Sequence, residues 1–173
     1  MTWLLPDPSQ RPIVDELEQQ TDRGAAIIGA ALVESLLRQA LESRLRVRTA
    51  LERRTAKGLF GTMGPLSSFS AKIDLGVLLG LYPEGVRSDL HRLRDVRNQF
   101  AHEHEPRDFA YPKIAEICAE FWLPHNLFIV ATSGGPQGFP ADARGRYILT
   151  VKLLVALLRR AVVTPHPPPD PLW

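Results

Sequence analysis

The spacing of apolar and polar residues predicts helices along most of this chain. Apolar residues recur every three or four positions, which places them on one face of an α-helix. Glycine- and proline-containing turns separate the segments that follow this pattern. The predicted helices cover residues 12–20, 22–55, 67–81, 85–101, 112–122 and 146–163. We therefore predict an all-α fold, a single-domain helical bundle of about five to seven helices.

The second predicted helix has the broadest apolar surface. Its central stripe repeats at every fourth position and consists of Ile28, Leu32, Leu36 and Ala40. A stripe with further apolar residues on both sides is typical of a helix that packs against more than one neighbour. Glu34 lies within this surface, and we expect it to face solvent. The alternative is a paired carboxylate in a pocket, because burying Glu34 alone would be costly.

Two glycines, Gly76 and Gly80, lie four residues apart in the third predicted helix. This spacing lets a neighbouring element approach the backbone closely, and we interpret it as core packing. Leu78 is expected to widen the buried stripe of the same helix. Farther along, prolines and glycines predict a loop over 123–145, in which 127–131 could form a short extended piece.

Both ends of the chain are rich in proline, which is unfavourable for regular helix. We predict an extended lead over 1–11, a helical domain over 12–163 and a proline-rich tail over 164–173. The start has no basic region like that of a secretory signal, and no stretch reaches about 18 uninterrupted apolar residues. The expected location is the cytoplasm, with no membrane partner.

The charges are balanced over the whole chain but not along it. The 173 residues include 21 basic and 19 acidic side chains, a formal net charge of +2, which argues against a protein that coats nucleic acid. One segment is strongly basic, with Arg44, Arg46, Arg48, Arg53, Arg54 and Lys57. We interpret this segment either as a solvated helix face or as a surface that contacts phosphate groups or a protein partner.

Few residues could form a disulfide or hold a metal. Cys118 is the single cysteine and lies in an apolar helical run, so we predict a buried structural thiol rather than a nucleophile. His102 and His104 alternate with Glu103 and Glu105. This short run is weak as a metal site because no further cluster of ligands accompanies it. We predict no metal and no cofactor.

The clearest candidate for chemistry ends the fourth predicted helix, where Arg97, Asn98 and His102 lie close together. A histidine with a pKa near neutrality can move a proton to or from a ribose hydroxyl or a leaving oxygen. The arginine can stabilise the charge that develops on a scissile phosphate, and the asparagine can orient the imidazole or the phosphate. This set of residues suits metal-independent cleavage of RNA.

The spacing of these residues limits that interpretation. Residues five apart do not share a face of an ideal helix, so Arg97 and His102 could converge only at a frayed helix end or across a two-fold dimer axis. In the structural alternative, Arg97 pairs with an acid, Asn98 caps the helix and His102 bonds a carbonyl of the last turn. The residue types alone leave both interpretations open.

Residues 64–102 resemble the mannitol operon repressor (MtlR) family. The resemblance consists of a Gly-Pro-Leu turn, an apolar helix with a lysine before its middle, and a helix that ends in Arg-x-x-x-x-His. The matching residues are Gly64, Pro65, Leu66, Ser70, Lys72, Leu75, Gly80, Leu81, Arg97 and His102. The resemblance implies an all-helical regulator with no evident DNA-reading motif, and hence repression through a protein partner.

The same helix ending also resembles the catalytic motif of HEPN domains. These are all-helical proteins that include dimeric, metal-independent endoribonucleases of toxin and defence systems. In that family the arginine and the histidine have the catalytic roles described above, and a polar residue usually follows the arginine, as Asn98 follows Arg97 here. This resemblance implies RNA as the substrate.

The residues and the two resemblances together lead us to predict a homodimeric, MtlR-like transcriptional regulator of the repressor type that acts through protein–protein contacts. The alternative is a HEPN-type endoribonuclease with Arg97, Asn98 and His102 as its catalytic residues. A protein that reads DNA directly is a weaker hypothesis, because only the segment 44–57 could supply a recognition helix.

Overall fold

A computed structural model of the chain describes residues 11–45, 47–102, 108–128 and 140–163. For residues 11–14, 102, 127 and 128 it describes the backbone but not the side chains. The described residues form seven α-helices and one π-helical turn, without a strand, which confirms the predicted all-α bundle. The helices are α1 (Arg11–Gln19), α2 (Asp22–Glu42), α3 (Ala50–Leu59), α4 (Phe69–Leu78), α5 (Glu84–His102), α6 (Pro112–Ala119) and α7 (Ala143–Val163).

Helix α2 is the centre of the bundle, because α4, α5 and α7 all pack against it. Its buried residues are small near its start and larger towards its end: Ala25, Ala26, Gly29, Ala30, Val33, Leu36, Leu37, Ala40 and Leu41. The small residues allow α7 to lie close. The hydroxyl of the fully buried Tyr147 on α7 donates a hydrogen bond to the carbonyl of Ala26 at 2.7 Å.

Helix α2 is also long and apolar enough to cross a membrane, by length and composition alone. The mean hydropathy of its most apolar 18-residue window is 1.4, and half of that window is buried inside the protein. Core helices of soluble proteins meet the same criteria. The position of α2 between three other helices accounts for its apolar character without a membrane.

The predicted central stripe of α2 is only partly correct. Leu36 and Ala40 are buried as expected, but Ile28 is 36% exposed and Leu32 is half-buried. The buried surface is rotated at the start of α2 towards Ala25 and its small neighbours, because these allow closer helix packing than Ile28 would.

The predicted second helix over 22–55 is wrong at its end, since it is two helices. The first ends at Glu42, and the second begins at Ala50 behind a capping box. In this box, the hydroxyl of Thr49 accepts a hydrogen bond from the amide of Glu52 at 3.2 Å, and the Glu52 carboxylate accepts one from the amide of Thr49 at 2.7 Å. A capping residue contributes about 1 kcal/mol, enough to fix a new helix start inside a continuous apolar pattern.

Helix α4 begins where predicted and ends earlier. The hydroxyl of Ser68 caps its start by accepting a hydrogen bond from the amide of Ala71 at 3.1 Å. The helix ends at Leu78, and Gly80 follows in the left-handed conformation with φ of 65°. The amides of Gly80 and Leu81 donate to the carbonyls of Val77 and Gly76, both at 3.0 Å, which is the Schellman pattern of a helix end.

The structure therefore assigns the two glycines of this segment different roles. Gly76 is buried against the ring of Tyr82, which agrees with core packing, whereas Gly80 is an exposed helix cap. Because the helix ends at Leu78, this side chain is 81% exposed and does not widen the buried stripe as predicted.

A buried carboxylate joins α5 to the segment after α6. Asp89 is fully buried, and its two carboxylate oxygens accept hydrogen bonds from the amides of Trp122 and Leu123, each at 2.7 Å. Burial raises the pKa of Asp89, and the two amides and Arg92 oppose that rise. Without these partners the buried carboxylate would be strongly unfavourable, so the chain after α6 has little freedom to move away.

The remaining predictions about the later part of the chain have mixed outcomes. Helix α6 ends at Ala119 and is followed by the π-helical turn Pro124–Phe128. The predicted extended piece over 127–131 is therefore wrong at residues 127 and 128. Its other residues, 129–131, lie outside the described residues.

Cys118 is fully buried, as predicted, and burial raises the pKa of its thiol to about 12.

Both predicted ends of the chain fall largely outside the description. The extended lead over 1–11 overlaps the described residues only at Arg11, where α1 already begins. The proline-rich tail over 164–173 lies entirely outside them. The boundaries of the helical domain therefore stay predictions.

Two glycine substitutions test the helix cap. A Cβ added at Gly80 or at Gly58 meets no atom within 4 Å, but only Gly80 has a positive φ. We expect Gly80→Ala to lower the free energy of unfolding by about 1 kcal/mol, because an L-residue is strained in the left-handed region. Gly58→Ala, inside α3, should raise the free energy of unfolding by up to about 1 kcal/mol. Urea unfolding of the two variants checks the opposite signs, and equal effects would contradict the cap.

Candidate functional site

The basic residues noted in the sequence do not form one continuous surface. Arg46 lies outside the described residues, and Arg44 is half-buried with its Nε atom inaccessible and without a hydrogen-bond partner among the described residues. The other four are exposed on α3 or on the two residues before it. We call the following set the basic surface: Val47, Arg48, Leu51, Arg53, Arg54 and Lys57.

Helix α3 buries none of its own residues. Every other helix has at least one buried residue among its described side chains. Leu51 is 73% exposed and Val47 is 38% exposed. A ten-residue helix has marginal stability in water by itself, so its hydrogen-bonded cap and the buried Phe60 at its end must hold it in place. The result is a short helix that presents both apolar and basic side chains to solvent.

The single acidic residue of this segment is engaged with the backbone. The carboxylate of Glu52 accepts hydrogen bonds from the amides of Arg48 at 2.6 Å and Thr49 at 2.7 Å. Among the described residues, Arg54 and Lys57 have no side-chain hydrogen bond or ion pair. Their charges are therefore accessible to a ligand or a partner.

Next to α3, a buried ion pair connects α2 to α4. Lys72 is almost completely buried, and its ammonium group donates hydrogen bonds to Glu34 at 2.6 Å and to the carbonyl of Ser67 at 3.0 Å. The side chain of Glu34 is 29% exposed. Our expectation that Glu34 simply faces solvent is thus wrong, and the paired alternative is correct, because Lys72 supplies the charge that makes partial burial tolerable.

A second charged cluster joins α4 to α5. Arg87 donates two hydrogen bonds to one carboxylate oxygen of Asp74, at 2.9 and 2.6 Å, and the Nε2 atom of His91 lies 3.3 Å from the same oxygen. The hydrogen bonds from Arg87 lower the pKa of Asp74. Sequence reasoning found no role for Asp74; the spacing of Arg87 and His91, four apart on one helix, is the signal that could have suggested it.

The proposed catalytic residues lie at the end of α5, which is one unbroken helix through His102. Arg97 and Asn98 are both half-buried, and the His102 side chain lies outside the described residues. Residues five apart on such a helix point about 140° away from each other. The frayed helix end that could bring Arg97 and His102 together is therefore absent up to residue 102, while convergence across a dimer axis stays a prediction.

The end of α5 belongs to an aromatic part of the core. The ring centroids of Phe100 and Phe109 are 5.1 Å apart, and those of Phe109 and Tyr147 are 5.2 Å apart. Burial raises the pKa of Tyr147, and the positive charge of Arg97 acts in the opposite direction. Arg97 thus lies near the buried phenol, at the end of the bundle where Tyr147 contacts Ala26.

The basic surface and the proposed catalytic residues lie at opposite ends of α2. The aromatic cluster contacts the start of α2, and α3 follows its end after the connection 43–49. With 21 residues, α2 is about 30 Å long. The structure therefore does not bring the two candidate sites together.

No protein-family model matches this sequence, and no curated protein matches it. The described residues define the protein as an all-α helical bundle. A solved structure with this fold is the X-ray structure of the MtlR–HPr complex from Escherichia coli. The TM-score is 0.69 at 16% sequence identity, and the match covers 88% of this chain and 99% of that chain. The fold is therefore MtlR-like, as the sequence resemblance implied.

The ion pair between α2 and α4 can be tested by a double-mutant cycle. We expect Lys72→Met to lower the free energy of unfolding by about 2–3 kcal/mol, because Glu34 loses its partner in a partly buried position. The coupling energy between Lys72→Met and Glu34→Gln should exceed about 1 kcal/mol.

The matched control is the exposed pair Arg38–Glu42, which lies on α2 with a distance of 2.8 Å. Its coupling energy, from Arg38→Met and Glu42→Gln, should stay below about 0.5 kcal/mol. Urea unfolding of both sets of variants measures the two values. Equal coupling energies would mean that burial adds nothing to the pair of Lys72 and Glu34.

Proposed function

We propose that this protein is a transcriptional regulator of the repressor type that acts by binding a protein partner. Two findings support this proposal: the MtlR-like fold and the basic surface on α3. The observation that carries it is that α3 buries none of its residues and leaves Leu51 73% exposed, with the exposed Arg54 three positions farther along on the same side of the helix. An exposed leucine next to basic side chains can form the apolar centre and part of the polar rim of a protein–protein contact.

The partner that fits this surface has an apolar centre and an acidic rim. Leu51 and Val47 would be covered by apolar side chains, and Arg54 and Lys57 would pair with carboxylates of the partner. The MtlR of the Escherichia coli complex is bound to HPr. We propose that an HPr protein is the partner of this chain as well.

The same surface is less suited to read DNA directly. In a helix-turn-helix motif a turn of about three or four residues joins the two helices. Here residues 43–49 separate α2 from α3. The overall charge is also close to balanced, at +2. Contact with a protein explains the exposed Leu51, whereas phosphate contact alone would not require an apolar residue there.

Binding of HPr tests this proposal. Two ligands are titrated separately, HPr from the source organism and HPr from Escherichia coli. Isothermal titration calorimetry gives the dissociation constant of each. We expect Leu51→Ser and Arg54→Glu each to weaken binding at least about tenfold, because they remove the apolar centre and reverse a rim charge. Both side chains are exposed, so the melting temperature should not change.

Lys113→Glu on α6 is the control, because Lys113 is also exposed and lies outside the basic surface. It carries the same charge reversal as Arg54→Glu and should bind HPr like the wild type. Equal losses for Arg54→Glu and Lys113→Glu would indicate general electrostatics rather than a docking surface. Absence of HPr binding by the wild type would contradict the proposed partner.

The endoribonuclease alternative makes a different prediction. If the protein is a regulator, wild type and His102→Ala should give the same background cleavage of a mixed RNA pool in the presence of EDTA. Gel analysis of the RNA measures this. Cleavage that is independent of metal and lost in His102→Ala would make the endoribonuclease the function, with Arg97→Ala expected to abolish it too. The homodimer and the cytoplasmic location stay predictions in either case.

A further inference from the structure

A cleft of about 550 Å³ lies between the end of α3 and the start of α4. Three cationic side chains line it, together with three hydroxyl-bearing residues: Arg38, Lys57, Lys72, Thr62, Ser67 and Ser68. No carboxylate is among the described residues that line it. The lining therefore offers hydrogen-bond donors and positive charge, which is the chemistry that binds an oxyanion.

Lys72 is the most rigid of the three cations. Its ammonium group has three donors. Two of them bond Glu34 and the carbonyl of Ser67, at 2.6 and 3.0 Å. One donor remains, and the side chain that carries it is only 6% exposed. The ion pair with Glu34 compensates the burial of this ammonium group and holds it at the inner wall of the cleft.

Arg38 and Lys57 form the outer wall. The Nε atom of Arg38 donates to Glu42 at 2.8 Å, and the guanidinium carbon lies 5.3 Å from the ring centroid of Phe60. These contacts orient the group, while its two terminal amino groups have no partner among the described residues. Lys57 has no hydrogen bond or ion pair among the described residues. Both side chains can therefore donate to a ligand.

The loop between α3 and α4 positions the hydroxyl groups. The amide of Leu66 donates to the carbonyl of Leu59 at 3.0 Å, and a Cβ at Gly64 would lie 2.2 Å from the carbonyl oxygen of Gly58. This close approach requires glycine and makes the loop compact. The hydroxyl of Ser68 accepts from the amide of Ala71 and so keeps its own hydrogen available to donate into the cleft.

We propose that this cleft binds the phosphate group of a small phosphorylated molecule. The nitrogen donors of Arg38, Lys57 and Lys72 and the adjacent hydroxyl groups can serve the three terminal oxygens of a phosphate monoester, more acceptors than a carboxylate offers. Glu34 and Glu42 already pair with Lys72 and Arg38, so Lys57 supplies the charge that has no acidic partner among the described residues. The cleft is also larger than inorganic phosphate alone, which leaves space for an organic group. The proposal does not depend on HPr binding, because the cleft is complete within this chain.

Calorimetric titration with inorganic phosphate and with glycerol 3-phosphate tests the proposal, at an ionic strength held constant with chloride. We expect both probes to bind with dissociation constants in the range of about 1–10 mM or tighter. Lys57→Gln should weaken binding of both about fivefold, because one charged donor is lost. Thr62→Ala, at an exposed residue of the loop, should weaken it by a smaller factor. Lys72→Gln is avoided because it would leave Glu34 unpaired.

Lys113→Gln is the matched control and should bind both probes like the wild type. Three results would overturn the proposal: no binding above the chloride background, equal losses for Lys57→Gln and Lys113→Gln, or binding of acetate as tight as that of phosphate. Weaker phosphate binding by Thr62→Ala together with unchanged HPr binding by the same variant would support a phosphate site separate from the HPr surface, to which Lys57 but not Thr62 belongs. HPr is absent from the phosphate titration, so failure of one proposal does not imply failure of the other.

Discussion

The burial of helix α2 is the constraint on which the rest of this structure depends. Its nine buried residues form one broad face, which is too wide for a single neighbouring helix to cover. Helices α4, α5 and α7 each cover one side. The small residues Ala26 and Gly29 bring α7 so close that Tyr147 reaches the carbonyl of Ala26. The positions of the surrounding helices therefore follow from the shape of α2.

This arrangement gives the two ends of α2 different properties. The start of α2 lies in an aromatic cluster that also includes the end of α5, so Arg97 and its neighbours are close to tightly packed core. The end of α2 leads to α3, which contributes no buried side chain. Only Leu59, at the end of α3, packs partly against the core, so the packing of the bundle does not account for the exposed Leu51 and the adjacent cations.

The sequence predicts the helices well wherever apolar residues repeat without interruption, as at Leu90, Leu93 and Val96 of α5, all of which are buried. It fails where a local hydrogen bond competes with the pattern. The apolar residues Leu45, Val47 and Leu51 continue the spacing of α2, so periodicity alone predicts one helix through 55. The capping box of Thr49 and Glu52 starts a new helix instead. The Thr-x-x-Glu pattern is visible in the sequence, but it predicts a helix start only if it is given more weight than the continuous apolar spacing.

Contacts between distant residues explain the rest of what the sequence could not show. The cost of burying Glu34 indicates that it needs water or a cation, but its partner Lys72 is 38 residues away and is selected by the packing of α4 on α2. Gly64, Lys72 and Gly80, which carry much of the resemblance to MtlR, form a turn, this ion pair and a helix cap. These residues of the resemblance therefore have structural roles, which indicates a shared fold. Helix α3 lies outside the resembling stretch, so the resemblance to MtlR gives no information about the surface that we propose for partner binding.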